Sequence, residues 1–171
     1  MPRSFSGRRR PALRAPQRRR RSWARHHGEA TLEAGIPTAS NLLADYRTEA
    51  GISAGPVGIT IGGGWLQWCF LPASEVTDIE SIRVGIIVVD ENMAGDVPSP
   101  SGDEHVDWMY ITEAYITPPQ RAVIFDGTNG PQVRWKAARR MDELGMNLFF
   151  VAEATVGGDI QFFASTVLIN P

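Results

Sequence analysis

Between residues 57 and 169, short apolar runs alternate with breaks rich in Gly, Pro, Asn and Asp. Runs of this length, rich in β-branched and aromatic residues and bounded by turn residues, are typical of β-strands. They predict eight strands, at 57–61, 65–71, 82–90, 106–116, 121–125, 132–138, 147–153 and 159–169. No helical pattern alternates with them, which argues against a parallel α/β sheet. The pattern therefore predicts an all-β protein, an eight-stranded antiparallel jelly-roll sandwich.

One short helix is predicted before the first of these strands. The stretch "ASNLLADYRTEAG" offers Ser40 as N-cap, Leu42, Leu43 and Tyr46 as one apolar face, and Gly51 as the stop.

Several predicted strands are apolar on both faces. In "VDWMYITEAYI" one face holds Val106, Trp108, Tyr110 and Ile116, and the other holds Met109, Ile111 and Tyr115. A sandwich strand with one solvated face should alternate between apolar and polar residues. The second face is covered either by the chain's own loops and helix or by neighbouring subunits. The pattern favours subunits, because one short helix covers little sheet. The polar loop at 91–105 is expected to project from one end of the sandwich.

Charge divides the chain into two unlike parts. The formal net charge is −2, yet residues 1–27 contain ten of the 17 Lys and Arg residues and no Asp or Glu. The rest holds all 19 acidic residues and seven basic ones. We therefore predict a disordered, Arg-rich nucleic-acid-binding arm at 1–27 and one folded domain at 28–171. The predicted nucleic-acid-binding residues of the arm are Arg3, Arg8, Arg9, Arg10, Arg14, Arg18, Arg19, Arg20, Arg21 and Arg25.

The arm's composition indicates a polyanionic partner. Guanidinium groups bind phosphate bidentately and stack on bases, and Trp23 offers a further stacking surface, although a Trp at a domain edge more often packs on the domain. A mitochondrial presequence is also Arg-rich, but Pro2, Pro11 and Pro16 interrupt the helix it requires. Nuclear import and binding to an anionic membrane surface are further alternatives for such a segment.

A second basic cluster occurs within the domain. Arg134, Lys136, Arg139 and Arg140 lie in "VRWKAARRMDELG", and on a strand Arg134 and Lys136 face away from Val133 and Trp135. The cluster either extends the arm's phosphate-binding surface or forms a solvated, ion-paired face.

The sequence contains no recognisable catalytic motif. "GPVGITIGGG" lacks the ending of a phosphate-binding loop and precedes a strand, so Gly62–Gly64 are interpreted as a bulge or bend. His105 lies near Asp103, Glu104 and Asp107, a set that is interpreted as a solvated loop rather than a metal site. Cys69 is interpreted as a small buried apolar residue. We therefore expect no enzyme activity, cofactor, metal or membrane span.

Three stretches resemble coat proteins of small icosahedral viruses: "RRRRSWARHH" in the arm, the central "DEHVDWMYI", and "WKAARRMDELGMNLFFVAEA" with "IQFFASTVLI" near the C-terminus. They are most similar to capsid proteins of circular Rep-encoding single-stranded DNA viruses, and a phage or satellite-virus coat protein fits nearly as well. The resemblance implies a single jelly roll that assembles with copies of itself into an icosahedral shell. It also implies that the arms line the interior against the genome.

These features together predict a viral capsid protein. Its partners would be copies of itself and the viral genome, expected to be single-stranded DNA, and it would be found in the virion and in the host nucleus during assembly. The rival interpretations are a monomeric cellular nucleic-acid-binding β-domain and an organellar protein with a cleaved basic presequence.

Overall fold

The computed structural model describes residues 21–46, 59–90, 97–102, 108–118, 123–124, 133–135, 139–140 and 146–169. Most of these residues belong to β-strands, which are β1 (Arg21–Leu32), β2 (Thr38–Asn41), β3 (Thr60–Pro72), β4 (Glu80–Asp90), β5 (Trp108–Ile116), β6 (Val123–Ile124), β7 (Val133–Trp135), β8 (Arg139–Arg140), β9 (Met146–Ala154) and β10 (Gly158–Ile169).

The strands form two antiparallel sheets. Sheet A has the order β1-β10-β3, with the short strands β6, β7 and β8 along the far edge of β3. Sheet B has the order β2-β9-β4-β5. The pairs are nested, since β1 pairs with β10, β2 with β9, β3 with β6–β8, and β4 with β5. This is one long hairpin rolled up until β10 meets β3 and β9 meets β4, and the predicted jelly-roll sandwich is confirmed.

The core lies between the inner faces of the two sheets. Phe150 of sheet B stacks on Phe162 of sheet A, with ring centroids 4.1 Å apart, and aliphatic side chains such as Leu66, Ile82 and Ile86 are fully buried around them. A Cβ on Gly28 of β1 would overlap the ring of Phe162. Small residues on the inner face of β1 therefore make room for the large rings of β10.

The N-terminal boundary differs from the prediction. Residues 21–27, assigned to the disordered arm, form the first half of β1, and Arg21 pairs with Ile169. Trp23, Arg25 and His27 point outward, while Ala24 is buried in the core. The strand forms because β10, paired with β3 on one side, offers its other edge to β1, and the Arg and Glu residues of β1 occupy only the solvent side.

The structure changes the predicted start of the helix and joins two predicted strands into β3. Ser40 lies in β2 rather than at a helix start. Asn41 accepts a hydrogen bond from the Leu43 amide at 2.9 Å, and residues 44–46 are helical, while the predicted stop at Gly51 lies outside the described residues. The predicted strands at 57–61 and 65–71 are joined as β3, through the glycines at 62–64. A register shift opposite Val167 makes this stretch a bulge, as predicted.

A second apolar cluster covers the outer face of sheet B. Ile87, Phe149 and Val151 are buried there, and Val97 and Trp108 pack over them. The segment 97–102 thus lies on the sheet instead of projecting, because apolar residues on both sides of β4 and β9 need cover. For this part of sheet B, the chain's own loop provides the cover that we expected from neighbouring subunits.

The predicted faces of β5 are wrong at its start. Trp108 packs on the outer cluster, whereas Met109 and Tyr110 both pack against the main core. The cause is a register shift between Ile86 and Ile87, a β-bulge that places Trp108 on the same face as Tyr115.

Candidate nucleic-acid interface

The basic surface begins where the Arg-rich segment enters the fold. Arg21, Trp23, Arg25 and His27 alternate along the outer face of β1, all of them exposed. Residues 1–20, which hold the eight other arginines of the predicted arm, lie outside the described residues. Because β1 continues directly from that segment, the arginine run leads onto the outer face of sheet A at one end.

Strand pairing brings the basic residues of β7 and β8 to the same end. Arg25 is opposite Ser165, Ser165 is opposite Trp65, and Trp65 is opposite Arg134, so these four residues form one row across sheet A. Arg134 is exposed and Trp135 is buried, as predicted for alternate residues of a strand.

A second row lies four residues nearer the start of β1. It runs from Arg21 through Ile169 and Thr60 to Arg140, and Arg139 pairs with the neighbouring Ile61. Lys136 lies outside the described residues. The two edges of sheet A thus carry basic residues at one end, which we call the basic end.

The opposite end of sheet A is acidic. Glu29 lies in the second half of β1, and Asp159 accepts a hydrogen bond from Thr31 at 2.8 Å. At about 3.3 Å per residue, Glu29 is roughly 27 Å along β1 from Arg21. The charge of this sheet is therefore polarised along the strands, and a polyanion is attracted to the basic end only.

An open pocket of about 370 Å³ lies in the outer face of the basic end. Trp23, Trp65 and Arg134 line it, together with Val167, Trp135 and the glycines at 62–64. Trp23 is 55% exposed. Two aromatic rings and a guanidinium around one cavity are groups that bind planar, anionic ligands.

His26 takes a structural position rather than one on this surface. Its side chain is on the inner face of β1, where Nδ1 lies 2.7 Å from a carboxylate oxygen of Asp45 and the ring packs against Phe162. Ser40 lies at 3.4 Å from Nε2. Because these contacts join β1 to the segment after β2, His26 connects the two sheets, while His27 is exposed.

The outer face of sheet B has a different charge. Arg83 of β4 lies between Glu113 of β5 and Glu153 of β9 in register, and its Nε donates to Glu113 at 2.9 Å. Arg83 also donates to the carbonyl oxygen of Ser101 at 3.1 Å, which holds the covering loop in place. The hydroxyl of Tyr115 donates to the second oxygen of Glu113 at 3.0 Å. Arg83 is therefore paired within the fold, and the acidic residues beside it, Glu113 and Glu153, outnumber it.

These hydrogen bonds shift two pKa values. Arg83 lowers the pKa of Glu113 below its ordinary value of 4.5, and the bond to Glu113 raises the pKa of Tyr115 above 10.0. A carboxyl whose pKa is lower in the folded state stabilises the fold above its unfolded pKa, and this contribution is lost as the pH falls.

We expect Glu113→Gln to lower the melting temperature slightly at pH 7 and by a smaller amount near pH 3. At neutral pH the variant loses the charged acceptor of Arg83, whereas below the ordinary carboxyl pKa of 4.5 this contribution falls progressively with the pH. Thermal unfolding followed by circular dichroism at both pH values measures the difference. Glu75→Gln, in an exposed loop, is the control. An equal difference at both pH values would contradict the ionic origin of the contribution.

Exposed apolar side chains occur at the end of the sandwich opposite the basic end. The turns β1–β2, β3–β4 and β9–β10 meet there, joined by backbone bonds from Gly35 to Ala154 and from Ala73 to Gly157. Ile36 is 50%, Leu71 52%, Ile79 70% and Tyr115 61% exposed at this end. We call these four residues the apolar rim. Large apolar side chains exposed at one end of a domain are candidates for a protein–protein contact.

The remaining sequence predictions have mixed outcomes. Cys69 is half-buried on β3 rather than fully buried. The loop residues Asp103, Glu104, His105 and Asp107 lie outside the described part of the chain, within which no three His, Cys, Asp or Glu side chains form a metal-binding group. No helix among the described residues is long and apolar enough to cross a membrane.

No protein-family model matches the chain, and neither does any curated protein. Solved structures do match. The chain is similar to the cyanophage Pam1 capsid asymmetric unit, with 13% identity, a TM-score of 0.41 and 100% of both chains covered. It is similar to desmodium yellow mottle tymovirus, with 10% identity and a TM-score of 0.35 over 100% of this chain and 94% of the other. Turnip yellow mosaic virus matches with 9% identity and a TM-score of 0.37, over 90% of this chain and 94% of the other.

Sequence reasoning did not predict the pocket at the basic end. It assigned Trp23 to the arm, Trp65 to one strand and Arg134 to another, with no strand order to join them. The available signal was the alternation of Arg21, Trp23, Arg25 and His27, which has the period of a strand with one exposed face.

Proposed function

We propose that this protein is the coat protein of a small icosahedral virus, which assembles with copies of itself into a shell and packages the genome through its Arg-rich N-terminal segment. One observation carries the proposal: the arginine run continues directly into β1 and is met at the same end of sheet A by Arg134 and β8. The Arg-rich segment is therefore attached at the end of sheet A that carries the other basic residues.

The chemistry of this surface suits a long, unspecific nucleic acid. Guanidinium groups pair bidentately with phosphates, and phosphate contacts carry no sequence information. Twenty residues can extend about 70 Å from the start of β1, far enough to follow a strand away from the domain. We assign the binding to the ten arginines of the predicted arm together with Arg134, Lys136, Arg139 and Arg140.

The acidic parts of the domain define how the genome would lie. Sheet B presents more carboxylates than cations on its outer face, and the far end of sheet A carries Glu29 and Asp159. Both surfaces repel phosphates, so the nucleic acid would contact the basic end and the N-terminal segment only.

Self-assembly is assigned to the apolar rim. Its four side chains lie at the end opposite the basic end, so contacts between copies and contacts with nucleic acid would not compete for one surface. We propose single-stranded DNA as the genome, with the protein located in the virion and, during assembly, in the host nucleus. No catalytic role is proposed.

The test uses the full-length chain, purified free of nucleic acid and then mixed with a single-stranded DNA of mixed sequence. We expect size-exclusion chromatography with light scattering and negative-stain electron microscopy to reveal closed particles of uniform size that contain DNA. A monomer that binds the DNA without forming particles would instead indicate a cellular nucleic-acid-binding domain. A monomer that behaves identically with and without residues 1–20 would indicate a cleaved presequence.

A further inference from the structure

The pocket at the basic end is built from both sides of β10. Trp23 comes from β1, Trp65 comes from β3, and Val167 of β10 lies between them, directly opposite Trp23. The cavity, of about 370 Å³, is at the small end of the range for ligand pockets, roughly 300–1,000 Å³. Its size suits one flat group with its attached chain rather than a duplex.

Glycine is required in the floor of this pocket. Gly63 has φ +96°, a conformation that other residues adopt only with strain. A Cβ on Gly64 would overlap the carbonyl oxygen of Ser165 and the ring of Trp135, and one on Gly62 would lie 3.0 Å from Ile169. The three glycines therefore line the pocket without side chains that would fill it.

The two rings differ in how firmly they are held. Trp65 is half-buried and packs against Phe163, with ring centroids 4.9 Å apart, so its orientation is fixed by the sheet. Trp23 is more than half exposed, although burying such a ring is normally favourable by about 1.5–3 kcal/mol or more. A fixed ring and an accessible ring beside one cavity suit a ligand that stacks.

The charges around the pocket suit an anionic chain. Arg134 is exposed in its wall, and Arg25 lies in the same row of sheet A two residues beyond Trp23. A base stacked between or upon the tryptophans would place its phosphates near cations on either side. Nucleobases stack on aromatic side chains whatever their sequence, which suits non-specific packaging.

We infer that this pocket binds an unpaired nucleotide base of the packaged strand, with Trp23 and Trp65 stacking on the base and Arg134 contacting an adjacent phosphate. The inference rests on the proposed function, and it adds a site on the folded domain to the N-terminal segment. It also requires a single-stranded partner, because bases within a duplex are not available to stack on the two rings.

The test compares two anionic ligands that differ only in their bases. Binding of the full-length protein to fluorescent oligothymidylate and to an abasic oligodeoxyribose phosphate of equal length is measured by anisotropy. We expect the wild type to prefer oligothymidylate by about 5- to 150-fold, the range for one base–aromatic stack. Trp23→Ala and Trp65→Ala should reduce this preference towards one while the dependence on salt stays unchanged.

Conservative variants and a remote one serve as controls. Trp23→Phe and Trp65→Phe keep an aromatic face and should retain most of the preference, and Leu71→Ala, on the apolar rim, should leave it unchanged. Arg134→Ala should lower both affinities equally and reduce the salt slope by about 0.7, the value for one phosphate of a single strand. Trp23 is exposed, so its variant tests the inference even if Trp65→Ala fails to fold.

Each contrary outcome has a separate meaning. A wild type that binds neither ligand would contradict the proposed function itself. Equal binding of both ligands, or an unchanged preference in Trp23→Ala, would overturn the stacking site and leave the packaging role intact. If Trp23→Ala alters the oligomeric state in the absence of nucleic acid while the preference persists, the pocket is a contact between copies and the inference is wrong.

Discussion

Deleting residues 1–20 is expected to leave a folded domain that no longer retains single-stranded DNA at physiological salt. The deletion removes eight arginines and nothing that belongs to the described sandwich. If all eight contact phosphates, the slope of log K against log salt should become less steep by about 5 to 6 units. Filter binding across a salt series measures the slope, and circular dichroism measures the fold.

The site of truncation decides whether this experiment can be interpreted. Deleting residues 1–27 would also remove half of β1, including the contact of His26 with Asp45 and the pairing that covers one side of β10. That longer deletion should unfold or aggregate, so it serves as the contrasting variant. Replacing the same eight arginines by lysine is the matched control, because charge is kept and most of the salt slope should remain. Unchanged DNA binding after deletion of residues 1–20 would contradict the role of the segment.

The second large effect is expected at the apolar rim, where Tyr115→Asp should give soluble, folded subunits that do not form particles. Tyr115 is on the outer face of β5 and 61% exposed, so the isolated subunit tolerates a charge there. In a contact between copies the same carboxylate would be desolvated, at a cost of several kcal/mol, and next to Glu113. Every copy of the contact in a shell would suffer this loss.

Analytical ultracentrifugation and electron microscopy of the variant with DNA measure the assembly. Tyr115→Phe keeps the apolar ring and should still form particles, and Ile79→Asp, at the most exposed residue of the apolar rim, should fail in the same way as Tyr115→Asp. Normal particles from both Asp variants would place the contact between copies elsewhere on the domain.

The longer strands could be predicted from the sequence because their composition is distinctive. The aliphatic run of β4 and the aromatic runs of β9 and β10 have the length and β-branched content of buried strands, and each was predicted within two residues of its bounds. The fold class followed from the number of strands and the absence of helices between them. Strand order could not be predicted, since pairing between residues so distant in sequence leaves no local signal.

The errors have local physical causes. β1 resembles a flexible basic segment because small residues, Ala24 and Gly28, flank His26 on its inner face. The bulge before Ile87 reverses the side of the sheet on which Trp108 lies, and one inserted residue is invisible in a pattern of period two. The arm and the cluster at 134–140 were both candidates for phosphate binding, but the meeting of Arg21 and Arg25 with Arg134, Arg139 and Arg140 at one end of sheet A depends on the rolled topology.

The nesting of the strands also constrains how the chain can fold as it leaves the ribosome. In sheet A, β10 lies between β1 and β3, and in sheet B, β9 lies between β2 and β4. Arg21 therefore cannot pair until Ile169 has been synthesised. Neither sheet can form completely until the last quarter of the chain has been made. Such distant pairing makes folding slow compared with local helices or hairpins. A chain that terminates before residue 158 lacks the strand that joins β1 to β3, so prematurely terminated translation products would not complete sheet A.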